Sequence, residues 1–455
     1  MNDQFQNFGT DERPLADERR LGDERPLGDE RPLLDERPLV DERPLVVETH
    51  GGASLPHTHN RPSVPRLRFP EFTGEWDLKK LGQIAAKINS GKTPLGGESV
   101  YSEEGILFIR SQNVNNDNLS YENSTFISEK MNSTMKNSVV KANDILLNIT
   151  GASLGRSCVV PDNFTIGNVN QHVCILRLTK ENSPRFVQPI LSSTKGQNII
   201  NSLQTGSGRE GLNFESIKGI ELFFPSLPEQ QKIASFLTAV DEKIQALKKK
   251  KTLLEQYKKG VIQKLFSVEM DGRPSLRFKD DDGNDFQEWE EKKLGEVVVI
   301  RTGKLDANAM IKDGKYRFYT CAKDFYQIDV YAFDTEALLI SGNGANVGYI
   351  HYYKGKFNAY QRTYVLDEFN ENIIYVKYFL DKFLYERINT EKKEGNTPYI
   401  VLSTLSEMNI LVPSYNEQTK IANFLSAIDE KINAVQTQIE KLTAWKKGLL
   451  QQMFV

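Results

Sequence analysis

Arginine, glutamine and asparagine side chains gather in short polar runs along this 455-residue chain. Arg110, Gln112 and Asn113 lie in FIRSQNV, Gln171 and His172 precede an apolar run, and Ser207 and Arg209 sit in the glycine-rich TGSGRE. Further along come Lys323, Asn343, Asn346, Gln361 and Arg362, then Asn396 and Thr397 in GNTPY. Guanidinium and carboxamide groups present paired hydrogen bonds in a fixed fork, which is the chemistry of recognition. Taken singly, each is equally an ordinary solvated loop residue.

Bond-breaking chemistry is harder to find. No acid pair, Ser–His pair or metal-ligand cluster stands out, and Cys158, Cys174 and Cys321 lack CxxC spacing, so no metal site is expected. SGKT at residues 90–93 matches the end of a phosphate-cradling loop, but that loop needs glycine five positions before Gly91, where Ala86 stands. The preceding stretch reads as helix rather than strand, so a turn at a domain entry is expected instead.

The polar runs belong to a chain that repeats itself. LRFPEFTGEWDLKKLG (67–82) returns as LRFKDDDGNDFQEWEEKKLG (276–295), and residues 225–266 align without a gap to 413–454, with 21 of 42 positions identical. Two tandem units follow from this. Each aligned segment carries a heptad-like apolar seam: Ile233, Leu237, Val240, Ile244, Leu247 and Leu254 in the first; Ile421, Leu425, Ile428, Ile432, Val435, Ile439, Leu442, Leu449 and Met453 in the second. The spacing predicts two long helices, with Pro225 and Pro413 before them and Glu229 and Glu417 in the first turns, where acids are favoured. Lys251, Lys258 and Lys446 interrupt the seam. Gly260 and Gly448, costly in a helix, mark either a close backbone approach, a partner surface, or drift in a frayed end.

Between the helices lie two divergent bodies with short β-type runs: GILFIRS, DILLNITG and HVCILRL, then ALLISGNG, VGYIHYY and RTYVLD. GASLG (151–155) aligns with GANVG (344–348), Gln171 with Gln361, and Leu212 with Leu402. The fold class expected is α+β: two α/β domains with β-rich cores, separated by two helices that form an intramolecular antiparallel coiled coil. The divisions are a tail (1–65), a first body (66–224), a central helix (225–270), a second body (271–412) and a final helix (413–455).

The tail holds six hexapeptides of the DERPLV type, too rich in proline and charge to build a core, and is expected to be disordered. A tether is its functional alternative, and His50, His57 and His59 do not make a metal site there. Residues 1–47 carry a net −6, which leaves the rest of the chain only mildly basic, about +3. No apolar stretch is long enough for a membrane span and no secretory signal pattern is present, so a cytoplasmic protein is expected.

The helix openings FPSLPEQQKIASFLTAVDEKI and VPSYNEQTKIANFLSAIDEKI, with the W-x2-K-K-L-G domain starts, resemble the specificity subunits of type I restriction-modification systems. The resemblance covers nearly everything after residue 65; the hexapeptide tail departs from it. It implies two target recognition domains, each reading half of a split site in the major groove of double-stranded DNA, and antiparallel helices as a spacer. It implies two modification (methyltransferase) subunits and two restriction (translocase and nuclease) subunits as partners. S-adenosylmethionine, ATP and magnesium would then sit on those partners, with no cofactor on this chain.

On that picture the polar runs become candidate DNA contacts, since Arg pairs with guanine and Asn or Gln with adenine across base edges, and loops on a rigid β scaffold are where such groups are displayed. Gln171 and Gln361 have a second reading, in which each fixes a turn by bonding to backbone. A stand-alone DNA methyltransferase or translocase is the rival function. It lacks support here: the tetrapeptide [DN]-P-P-[FYW] of amino-methylating enzymes is absent, as is a complete phosphate loop.

Overall fold

A computed structural model describes residues 63–94, 96–115, 117–204, 211–267, 274–391 and 399–455. Each body is closed by pairing its first strand with its last. Asp77–Lys80 runs antiparallel to Glu221–Phe224, and Glu290–Lys293 to Asn409–Val412. The W-x2-K-K-L-G starts are therefore half of a ribbon whose other half leads directly into a long helix. This is why the repeated pattern brackets each divergent body.

The two bodies share a core strand order. In the first it runs Ser157–Val159, Ile145–Asn148, Val173–Leu178, Ala85–Ser90, with a separate five-stranded sheet and a two-stranded ribbon of Val114–Asn115 and Asn118–Leu119 besides. In the second, the matching strands Ile350–Ala359, Phe333–Ser341, Thr363–Asp367 and Val299–Thr302 extend through Tyr316–Tyr319 into one six-stranded sheet. The central strands ILLN and ALLIS are buried on both faces, as their unbroken apolar runs require. Ala85–Ser90 is strand where the sequence suggested helix. Five antiparallel partners on Val173–Leu178 outweigh the weak helical pattern of AAKINS.

The long helices run Leu227–Phe266 and Tyr415–Met453. Glu229 and Glu417 do more than favour a helix N-terminus. Glu229 accepts from Arg68 Nε (2.7 Å) and Nη2 (2.8 Å) and from Trp76 Nε1 (3.3 Å). Glu417 accepts from Arg277 Nε (3.1 Å) and Nη2 (2.7 Å) and from Trp289 Nε1 (3.1 Å). The next residue completes the clamp. Gln230 donates to Pro225 O and accepts from Ser183 N, and Gln418 donates to Pro413 O and accepts from Asn372 N. The E-Q pair thus bolts each helix start to the LRF segment and to the helical part of its own body.

The helices are antiparallel within one chain. Asp241 pairs with Lys446 (2.7 Å) and Asp429 with Lys258 (2.6 Å), two contacts related by the same 188-residue offset as the repeat. Lys258 and Lys446 are therefore cross-helix partners rather than lapses, whereas Lys251 reaches only Glu255 on its own helix (3.5 Å). The seam divides into three. Leu247, Val435 and Ile439, with Leu254 and Leu442, form the coil proper. Ile233 and Leu237 join Leu449, Met453 and Phe454 in the core of the first body, while Ile421, Leu425 and Ile428, with Ile432 alongside, join Val261, Leu265 and Phe266 in the second. Val240 and Ile244 are buried between these regions.

Gly260 and Gly448 correct one expectation. A Cβ at either would meet no atom within 4 Å, so no backbone approaches closely there. At the start of the first body, Ser63 O accepts from Trp76 N (2.9 Å). Residues 1–62, with the hexapeptides and the three histidines, lie outside the described residues.

Candidate nucleic-acid interface

In the first body the sheet ends in a rim of turns. Ile149 N donates to His172 O (3.0 Å), Gly91 N to Asn170 O (3.1 Å) and Asn170 N to Ile109 O (3.1 Å). Asn148 Nδ2 adds a bond to Ser111 O (2.9 Å). Residues 91–93, 110–113, 149–156 and 170–172 are thereby drawn to one edge. Gly91 of SGKT is required by contact, because a Cβ there would stand 1.6 Å from Val169 O. The turn is a close backbone crossing. Its partner in the second body is Gly303, whose Cβ would stand 1.9 Å from Ala359 O.

Several candidates are tied down on this rim. Asn113 is a correction: it is 1% exposed, accepts from Arg110 N (3.0 Å) and donates to Ser120 O (3.1 Å), so its carboxamide is buried and shapes the loop. Gln171 accepts from the Thr93 hydroxyl and contacts His172 Nε2 (3.0 Å), whose Nδ1 meets Thr150 Oγ1 (2.5 Å). Arg110 Nη2 and Gln112 Nε2 both donate to Asn123 O (3.3 Å each), with Gln112 exposed.

The second rim is built the same way. Gln361 N donates to Leu305 O (2.9 Å), Gly342 N to Arg362 O (2.9 Å) and Ile400 N to Gly342 O (2.8 Å). Gln361 Nε2 donates to Asp306 Oδ1 (2.8 Å), the counterpart of Gln171 and Thr93. Both glutamines therefore hold the neighbouring turn while remaining exposed. Asn346 is a partial correction, since its Nδ2 is engaged by Cys321 O (3.0 Å) and braces two loops. Lys323 and Arg362 are exposed, and half-buried Asn343 bridges to Tyr399. Ser207, Arg209, Asn396 and Thr397 lie outside the described residues.

Burial pushes the Cys158 and Cys174 thiols up to about 12, which leaves them protonated. Burial also lowers the pKa of His351, which sits between Tyr319 and Tyr349 with Nε2 on Ala322 O (3.0 Å). Among the described residues no His, Cys, Asp or Glu group has metal-site geometry, and no helix is long and apolar enough to cross a membrane. Polar clustering in the sequence passed over Lys92, Arg156, Lys304, Tyr349 and Tyr399, all exposed on the rims. The alignment of GASLG with GANVG was the available signal for Arg156 and Tyr349, which directly follow it.

Comparison with known proteins matches residues 73–256 and 287–444 to a family model described as type I restriction modification DNA specificity domain. The EcoDI type I specificity subunit of Escherichia coli is 41% identical over 158 residues, about a third of either chain (34% of each). The MjaIX specificity subunit of Methanocaldococcus jannaschii is 22% identical over 408 residues, 83% of this chain and 92% of that one. A crystal structure of a type I S subunit from M. genitalium superposes with a TM-score of 0.59 at 19% identity, over 86% of this chain and 99% of that one.

Proposed function

The chain belongs to the specificity subunits of type I restriction-modification systems, and we propose that each of its two bodies reads one half of a gapped site in double-stranded DNA. One observation carries this reading: two bodies with the same rim scaffold and different rim side chains are fixed to opposite ends of one antiparallel coil. Inverted readers of different half-sites need that arrangement, with the coil setting their separation along the duplex.

On this reading the chain contributes recognition and assembly but no catalysis. Methyl transfer, translocation and cleavage belong to two modification and two restriction subunits, which carry S-adenosylmethionine, ATP and magnesium, in the cytoplasm. The helices offer matched outward faces that suit two partner copies. Tyr257 and Trp445 are exposed at equivalent positions, each three residues before an open glycine.

The test is to exchange residues 83–224 for the corresponding body of another specificity subunit. Methylated adenines would then be mapped genome-wide in a cell carrying the complete system. One half of the motif should change while the other half and the gap persist. A change in both halves would sink the modular reading. The purified chain alone should show no methyltransferase, nuclease or ATPase activity.

A further inference from the structure

The turns 151–156 and 344–349 are the same structure with different last residues. Leu154 N donates to Gly151 O (2.9 Å) and Val347 N to Gly344 O (3.2 Å). Gly155 N donates to Asn148 O (2.9 Å) and Gly348 N to Ser341 O (2.8 Å). Asn148 N returns to Arg156 O (2.8 Å), and Ser341 N to Tyr349 O (2.9 Å). All four glycines have φ between 73° and 85°, the left-handed region that favours glycine. The backbone therefore delivers residues 156 and 349 to one equivalent place on each rim, where both are exposed. Arg156 makes one long bond, from Nη1 to Asn115 Oδ1 (3.4 Å), leaving most of its fork for solvent, and Tyr349 rests edge-on against His351 (4.8 Å between centroids).

The crossing turns behave oppositely. Lys92 and Lys304 follow Gly91 and Gly303, are exposed, and are the same residue in both bodies. Phosphates are identical at every step of a duplex and base edges are not. Equivalent positions with equal side chains suit the first task, and equivalent positions with unlike side chains suit the second.

Resting on the proposed function, we infer that Arg156 and Tyr349 are specificity-determining residues that read base edges in their respective half-sites, while Lys92 and Lys304 supply sequence-independent phosphate contacts. Arg156 has the fork that pairs with guanine in the major groove. Tyr349 provides a ring for apolar contact and a single hydroxyl, so the two half-sites should differ at the base pair this position meets.

The experiment uses the full chain co-purified with its modification subunits. R156Y should change the methylated motif only in the half read by the first body, and Y349R only in the other. Binding to the original site should fall roughly tenfold to a hundredfold. R156K, which keeps charge but loses the fork, should weaken the same base preference. K92Q with K304Q should leave the motif intact and reduce the slope of log K against log salt by about 1.8, near 0.9 per contact. Motifs unchanged in both R156Y and Y349R, with thermal stability retained, would overturn the assignment, as would a motif altered by the lysine variants. The exchange of residues 83–224 run in parallel separates the cases. If that exchange changes one half-site while R156Y and Y349R do not, this inference fails and the proposed function stands. If the exchange also has no half-site effect, the proposed function itself fails.

Discussion

Glu229 and Glu417 carry a structural load that their place in a helix first turn does not convey. Their side chains are 2% and 0% exposed, and each satisfies an arginine and a tryptophan from a segment 128 to 161 residues away. Removing one partner of a buried pair leaves the other charge unsatisfied, at about 3–5 kcal/mol. Glu229→Ala and Glu417→Ala should each lower stability by that amount in denaturant titrations, with Arg68 and Arg277 stranded. A loss under about 1 kcal/mol would mean that water replaces the carboxylate. His351 gives a pH dependence. Burial holds its folded pKa below the ordinary 6.5, so its stabilising effect is complete above pH 6.5 and is lost as pH falls through the lowered folded value. The stability difference between the parent and His351→Phe should therefore shrink on acidification. A difference that is flat from pH 7 to pH 5 would show that folding does not shift the ring's pKa.

The long helices make two predictions of their own. Gly260 and Gly448 face open space, so alanine should fit and raise helix stability by about 1 kcal/mol per site. If these glycines serve a partner, G260A and G448A will stabilise the isolated chain yet weaken assembly with modification subunits in a titration. Unchanged assembly would leave them without a binding role. The coil should also act as a ruler. Matched four-residue insertions, one between Leu247 and Lys258 and one between Val435 and Lys446, would lengthen it by about 6 Å, close to two base-pair steps. The methylated motif should keep its bases and widen its gap. Altered bases at an unchanged gap would show that the coil does not set the spacing.

At the scale of the whole molecule the chain closes into a ring. Leu67 N donates to Gln452 O (3.0 Å), and in the other half Leu276 N donates to Lys264 O (3.2 Å). Phe69 packs on Phe236 and Phe278 on Phe424, at centroid separations of 5.8 and 5.5 Å. The backbone bond that brings the end of one repeat to the start of the next is thus made twice, once beside continuous chain and once between the two ends of the described residues. A circular permutant that links residue 455 to residue 63 through about six residues, the length of 268–273, and opens the chain there should melt like the parent and direct methylation of the same motif by the modification subunits. A permutant that folds but reads a different gap would show that chain continuity at 268–273 helps to orient the bodies.

Repetition was legible in the residues themselves. Half-identical segments 188 residues apart dictate two equivalent helices, and a 3.5-residue apolar period dictates that they pair. The short apolar runs likewise announced β-rich bodies, because strands buried on both faces need no alternation. What lay beyond the sequence depends on partners distant along the chain. Asn113 carries the same carboxamide as a base-reading asparagine, and only the fold shows it buried under Ser120 and Glu122. Lys258 and Lys446 broke the heptad until Asp429 and Asp241 arrived from the antiparallel helix. SGKT reads as a turn at a domain entry, but only the fold shows why that turn needs its glycine: Val169 O lies against Gly91. Arg156 and Tyr349 share no residue type, so composition could not join them; a common backbone turn does. A period along one segment is local and survives in sequence, whereas exposure and pairing are set by groups brought together only when the chain folds.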